Sequence, residues 1–106
     1  MRLKKGDTYP FQQRLQYDDK TPVDLTDAES VNLRLRLDGS STFTVDKPCV
    51  IVDPTSGLVQ YSPEDEDTAI PGMYIMEYLI TYLGGRIQTV PSNNTMWLLI
   101  LGEADD

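Results

Sequence analysis

Apolar and polar positions alternate along much of this chain, most clearly in Val31-Asn32-Leu33-Arg34-Leu35-Arg36-Leu37-Asp38, where every odd position is apolar and every even one polar. A period of two predicts a β-strand with one buried and one wet face. Val31, Leu33, Leu35 and Leu37 are then expected to face the core, with Arg34 and Arg36 facing water or a partner. Gly39-Ser40-Ser41 turns the chain, and Thr42 to Asp46 alternates again. Val50-Ile51-Val52 predicts a short buried strand. It is closed by Asp53-Pro54-Thr55-Ser56-Gly57, where Pro sets φ and Gly tolerates φ > 0. Leu58 to Tyr61 predicts a further strand. Ser62-Pro63-Glu64-Asp65 predicts one helical turn, with Ser62 as its cap and Pro63 at the first helical position. Met73 to Leu83 is the longest strand expected. Gly84-Gly85 suits a type I′ hairpin, the return strand runs Arg86 to Val90 up to Pro91, and the last strand is Thr95 to Leu101. Seven to eight strands, with turns about every 8–12 residues, predict an all-β antiparallel sandwich with one short helical turn.

The stretch Asp67-Thr68-Ala69-Ile70-Pro71-Gly72-Met73-Tyr74 refines that class to immunoglobulin-like. Such sandwiches commonly enter their penultimate strand through a corner at which a Tyr buries its ring and bonds backbone with its hydroxyl. Asp67, Gly72 and Tyr74 are the expected corner residues. With Tyr74 inward, Met76, Tyr78, Ile80 and Tyr82 share its side, and Glu77 and Thr81 mark the other side as outer. Ile75, Leu79 and Leu83 then form an outward apolar stripe. Such a stripe marks an interface, or else a loop or the N-terminal arm covers it; the pattern leaves both open.

Composition narrows the function classes. The 106 residues suffice for one domain, burying roughly 65% of the unfolded chain's surface, with residues 1–8 as an N-terminal arm and 102–106 as a frayed acidic tail. Seventeen acidic against nine basic residues give a net charge of −8. That balance opposes a nucleic-acid partner, since polyanion binding depends on clustered Lys and Arg. The basic clusters are small: Arg2, Lys4 and Lys5 at the start, and Arg34 with Arg36 in the alternating strand. No stretch predicts a secretion signal or a membrane span. Cys49 is the only cysteine, expected as a buried inert thiol.

The chain has no histidine, which removes the usual general base and the commonest zinc ligand. Glu64-Asp65-Glu66-Asp67 lacks the spacing of a calcium loop and reads as a solvated helical turn. No carboxylate pair or activated serine stands out, so no enzyme, cofactor or metal site is expected. Asn93-Asn94-Thr95 fits a glycosylation acceptor pattern without a secretion context. Trp97 is expected at a core or inter-sheet position; exposed, it could build a sugar-stacking platform with Tyr9, Tyr17 or Tyr61.

In order, Gly6-Asp7-Thr8 with Pro10, Pro22-Val23-Asp24-Leu25-Thr26 leading into Val31 to Leu37, Gly57-Leu58-Val59-Gln60-Tyr61, the Asp67 to Tyr74 corner, Gly84-Gly85 and Thr89 to Pro91 resemble the N-terminal domain of phage baseplate upper proteins. The resemblance covers nearly the whole chain. It implies an immunoglobulin-like sandwich with a structural role in a virion, anchored to other virion proteins. In that family, helical and further domains follow and carry the receptor-binding proteins. This chain closes about five residues after its last expected strand, so the expectation is a docking module of the baseplate or tail, or of the neck or head.

The expected partners are therefore other virion structural proteins, with multiple copies or a homo-oligomer in the particle and neither nucleic acid nor membrane. Synthesis is expected in the host cytoplasm and residence in the virion. The contact candidates are Ile75, Leu79, Leu83, Arg34, Arg36, Lys4 and Lys5. The rival expectation is a carbohydrate-binding module for a bacterial surface glycan.

Overall fold

The computed structural model describes residues 1–92 and 94–102. Asn93, which opens the acceptor-like triplet, and the expected frayed tail from Glu103 to Asp106 lie outside the described residues. The described chain forms nine strands and one 3-10 turn: β1 (Arg2–Lys4), β2 (Phe11–Arg14), β3 (Ala28–Leu37), β4 (Phe43–Pro48), β5 (Val50–Asp53), β6 (Leu58–Tyr61), the turn Asp65–Thr68, β7 (Gly72–Tyr82), β8 (Ile87–Val90) and β9 (Met96–Leu101). The larger sheet runs β1-β9-β7-β3-β4, and β8 also pairs with β7. β9 lies along Gly72 to Met76 of β7, and β8 continues beside Tyr78 to Thr81. The smaller sheet is β2-β6-β5. The protein is an all-β sandwich.

The alternating pattern does what its period predicts. Val31, Leu33 and Leu35 are buried, and Leu37 packs half-buried against the core. Directly across the ladder, Tyr74, Met76, Tyr78 and Ile80 of β7 are buried beside them. Val59 and Tyr61 of β6 close the core from the smaller sheet, with Leu15, Val23 and Leu25 from the β2–β3 connection. Each such side chain contributes about 1.5–3 kcal/mol on leaving water.

Val23 and Leu25 sit in the Pro22 to Thr26 phrase. Its Asp24 accepts hydrogen bonds from the Thr26 N–H at 2.9 Å and the Thr26 hydroxyl. Gly57 is held at φ +72 where the chain passes this phrase, and a Cβ there would lie 2.6 Å from the Leu15 carbonyl oxygen and 2.8 Å from that of Val23. Only glycine fits that crossing.

The Tyr74 ring is buried, and its hydroxyl donates to the Ile70 carbonyl at 2.7 Å. Gly72 enters the strand at φ +154, where a Cβ would meet Leu37 Cδ2 at 3.0 Å.

Several local expectations are corrected. The N-terminal arm is a strand of the larger sheet: β1 pairs parallel with β9, so the sandwich is not wholly antiparallel. Beyond it, Lys5 N–H donates to Leu101 at 2.8 Å, Gly6 N–H to Thr68 at 3.2 Å, and the Thr68 hydroxyl to the Asp7 carbonyl at 3.0 Å. A free ladder edge on β9 makes this attachment available, and three residues with one apolar side chain show no period from which to read it.

Val50 and Val52 are exposed, contrary to a buried strand, and only Ile51 packs on the core. β5 is an edge strand with one face toward solvent.

The helical turn starts two residues late, at Asp65, with Glu64 rather than Ser62 as its N-cap. The Asp67 carboxylate, at the third helical position, takes the Glu64 N–H at 2.9 Å and closes a capping box on Glu64. The glycine hairpin is also shifted. Gly85 N–H donates to the Tyr82 carbonyl at 3.0 Å, which makes Leu83 and Gly84 the central pair. Only Gly84 and Gly85 take positive φ there, so the turn is not type I′.

Candidate docking surface

The outer face of the larger sheet carries most of the residues singled out by sequence, and the strand register sets them in rows. Arg2, Leu99 and Met73 stand side by side across β1, β9 and β7. The next row is Trp97, Ile75, Arg36 and Phe43 across β9, β7, β3 and β4. Glu77, Arg34 and Asp46 follow, and then Thr89, Leu79 and Asn32.

The part of this face over β3 and β4 is occupied by charged and aromatic side chains of the molecule itself. The Arg34 guanidinium stacks 3.9 Å over the Phe43 ring, 4.0 Å from the Asp46 carboxylate and 3.9 Å from that of Glu77. Asn32 Nδ2 donates to Asp46 at 3.0 Å. Cation–π stacking and two opposite charges fix Arg34 in place.

The part over β7 and β9 is different. Met73 and Trp97 are 42% and 43% exposed, Leu101 is 38% exposed, and Ile75 and Leu99 are half-buried among them. Trp97 therefore points outward and not into the core. β9 keeps its alternation with Leu98 and Ile100 as the buried set, and parity sends Trp97, Leu99 and Leu101 to the other face. Around this apolar area stand Arg2 and Lys4 on the β1 side and Arg36 on the β3 side. Among the described residues none of the three has an acidic side chain within ion-pair distance. Arg36 instead donates to the Ser40 carbonyl at 2.9 Å.

The expected stripe is thus divided. Ile75 belongs to the apolar area, while Leu79 lies half-buried farther along β7 between Thr89 and Asn32. Leu83 lies past the strand end in the hairpin, 64% exposed, in an open recess of about 590 Å³ shared with Asp27, Tyr82, Arg86, Ile87 and Gln88. Lys5 is exposed just beyond β1. Sequence reasoning missed Trp97, Leu99, Leu101, Met73 and Arg2 as members of one surface. The alternation of Trp97, Leu99 and Leu101 was the available signal, masked because Met96, Leu98 and Ile100 are equally apolar.

The acidic run is only partly solvated. Glu64, Asp65 and Glu66 are exposed, but Asp67 is buried. Its carboxylate accepts from Lys47 Nζ at 2.8 Å and from the Tyr61 hydroxyl at 2.7 Å. Burial pushes the Asp67 carboxyl up, yet the Lys47, Tyr61 and Glu64 hydrogen bonds outweigh it and hold the group below its ordinary value. This constellation ties β4, β6 and the corner together. Burial pushes the Cys49 thiol up to about 12, leaving it a thiol at neutral pH. Among the described residues no group of three or more His, Cys, Asp or Glu is placed to hold a metal ion. Among them, too, no helix is long and apolar enough to cross a membrane.

Comparison with known proteins finds the fold elsewhere. The chain is similar in structure to the N-terminal domain of phage TP901-1 ORF48, with a TM-score of 0.66 at 16% identity over 94% of this chain and 82% of that one. At that identity the likeness is one of fold. No protein-family model matches the chain, and no curated protein matches it.

Proposed function

We propose that this chain is a non-enzymatic structural component of a bacteriophage virion that docks onto other virion proteins. The observation that carries this reading is the fold shared along 94% of the chain with a domain of a phage protein, together with the phrases that resemble the baseplate upper protein family and its immunoglobulin-like domain. The site chemistry agrees with it. Among the described residues the one buried carboxylate is spent on Lys47 and Tyr61, and the larger exposed features are surface, not cleft. Docking uses the outer face of the larger sheet and the β1 edge, in multiple copies, on a baseplate, tail, neck or head protein. The chain is made in the host cytoplasm and resides in the particle, with neither nucleic acid nor membrane as partner.

Mass spectrometry and immunogold electron microscopy of purified particles test the reading. The protein is expected in particles at fixed stoichiometry, with label at one location. Its absence from particles, with normal particles formed after deletion of its gene, overturns the proposal.

The outward Trp97 ring favours a second reading, a glycan-binding module, because exposed aromatic faces stack on sugars. Its strand neighbours oppose that: Ile75, Leu99 and Met73 offer aliphatic surface, and Tyr61 is buried away from any platform with it. Specific binding to a bacterial surface glycan in a screen, lost in Trp97→Ala, would establish the second reading against the first.

A further inference from the structure

We infer that the cation-bracketed apolar area on β7 and β9, centred on Trp97, is the docking face, and that its occupant is an apolar protein surface flanked by carboxylates. The inference rests on the virion reading above and adds to it the face and the chemistry of the partner. Three observations carry it. Met73, Trp97 and Leu101 are exposed next to the half-buried Ile75 and Leu99, a contiguous area across β7 and β9. Interface energy concentrates in such areas, and Trp is among the residues that most often dominate it.

Second, charge is placed against the composition. In a chain of net −8, three cations border this area, Arg2, Lys4 and Arg36, without acidic partners among the described residues; of the acidic residues beside it, Glu77 is already engaged by Arg34, and Asp38 stands across from Met73 at the end of β3. The neighbouring Arg34, by contrast, already has Asp46, Glu77 and Phe43. Cations left unpaired around an apolar centre complement a partner whose rim is acidic, and this steers encounter and excludes wrong partners.

Third, the same arrangement disfavours a second copy seated face to face. With cations on both flanks, such pairing sets Arg2 and Lys4 of one copy against like charges of the other, or against its Arg36, and two chains of net −8 repel at long range.

The test is incorporation into particles, measured by sedimentation from cells infected with a phage lacking the gene and supplied with the protein in trans. Melting curves by circular dichroism check that each variant is folded. Trp97→Ala is expected to fold and to incorporate at least about tenfold less than the parent. Joint Arg2→Glu and Lys4→Glu is expected to fold and to incorporate several-fold less. Parent protein should wash off particles more readily as salt rises, and the double variant should show less of that dependence. Val52→Asp, on the exposed face of β5, is expected to incorporate like the parent.

Absence of the parent itself from particles would overturn the virion reading, and the inference with it. Parent-like incorporation of folded Trp97→Ala would overturn the face while leaving the virion reading intact. Loss in Trp97→Ala with no effect of the charge reversals or of salt would overturn the acidic partner. A dimer of the free parent in sedimentation equilibrium, abolished by Trp97→Ala, would make the occupant a second copy and overturn the partner assignment.

Discussion

Strand β7 carries apolar residues on both faces, and the two faces have opposite fates. Inward stand Tyr74, Met76, Tyr78 and Ile80, each 2% exposed or less. Outward stand Met73, Ile75, Glu77, Leu79 and Thr81, none of them fully buried. Glu77 and Thr81 mark the outer face, but Met73, Ile75 and Leu79 on it are apolar like the inner set, and what lies opposite decides their fate. The inner face meets Val59, Tyr61 and the Leu15, Val23 and Leu25 connection, so its burial is completed by folding. On the outer face the β3–β4 side is filled by a bound arginine and its acids, and the β9 side is left open. The inner face therefore sets stability, and the open part of the outer face is available for association.

If that division is right, the largest stability effects come from the inner side. Leu35→Ala, directly across from Met76, is expected to cost about 2–5 kcal/mol through lost burial and a residual cavity. A near-neutral urea melt would mean that the register is wrong and the two faces are exchanged.

Next comes the corner that closes the inner face. Asp67→Asn keeps the shape but removes the charge that Lys47, Tyr61 and the Glu64 N–H all address, and about 1.5–3 kcal/mol is expected for weakening such charged hydrogen bonds. Because the folded carboxyl is held below its ordinary value, its contribution is present above the unfolded value of about 3.9 and fades as pH falls through the folded one. Thermal melts between pH 7 and pH 2 should show the parent losing more stability on acidification than Asp67→Asn. Parallel curves would show that the constellation does not stabilise the fold through charge.

Two tyrosines on the inner face make the smallest and sharpest contrast. Tyr74→Phe loses the bond to the Ile70 carbonyl and is expected to cost about 0.5–1.5 kcal/mol. The Tyr78 hydroxyl is buried with no hydrogen-bond partner among the described residues, so Tyr78→Phe is expected to be neutral or slightly stabilising. Equal losses for the two in denaturant melts would remove the distinction between a corner tyrosine and a packing tyrosine.

Much of this division was legible in the sequence. The period of β3 placed Val31, Leu33 and Leu35 inward, and the Asp67–Gly72–Tyr74 spacing fixed the parity of β7 from one end. These signals are strong because one face is polar, or because a single residue has a required orientation. Trp97 was not legible, because β9 reads Met96-Trp97-Leu98-Leu99-Ile100-Leu101, apolar on both faces, and nothing local says which side the core will take. β1 was not legible because a three-residue edge strand is specified by its partner more than by its own sequence. Asp67 reads as part of a solvated run because it ends the acidic stretch from Glu64, while its own pairing with Lys47 spans twenty residues. The open outer face is built from residues of that kind, and a sequence pattern alone does not bring them together.

Oxidative footprinting of the unmodified protein, free and in assembled particles, addresses the open outer face most directly. Hydroxyl radicals mark exposed Trp, Met and Tyr side chains, and mass spectrometry reads each residue. In the free protein, Trp97, Met73 and Tyr9 are all expected to react, being 43%, 42% and 84% exposed. In particles, Trp97 and Met73 are expected to be protected severalfold, while Tyr9 reacts as before. Unchanged oxidation of Trp97 and Met73 in particles that contain the protein would contradict the account.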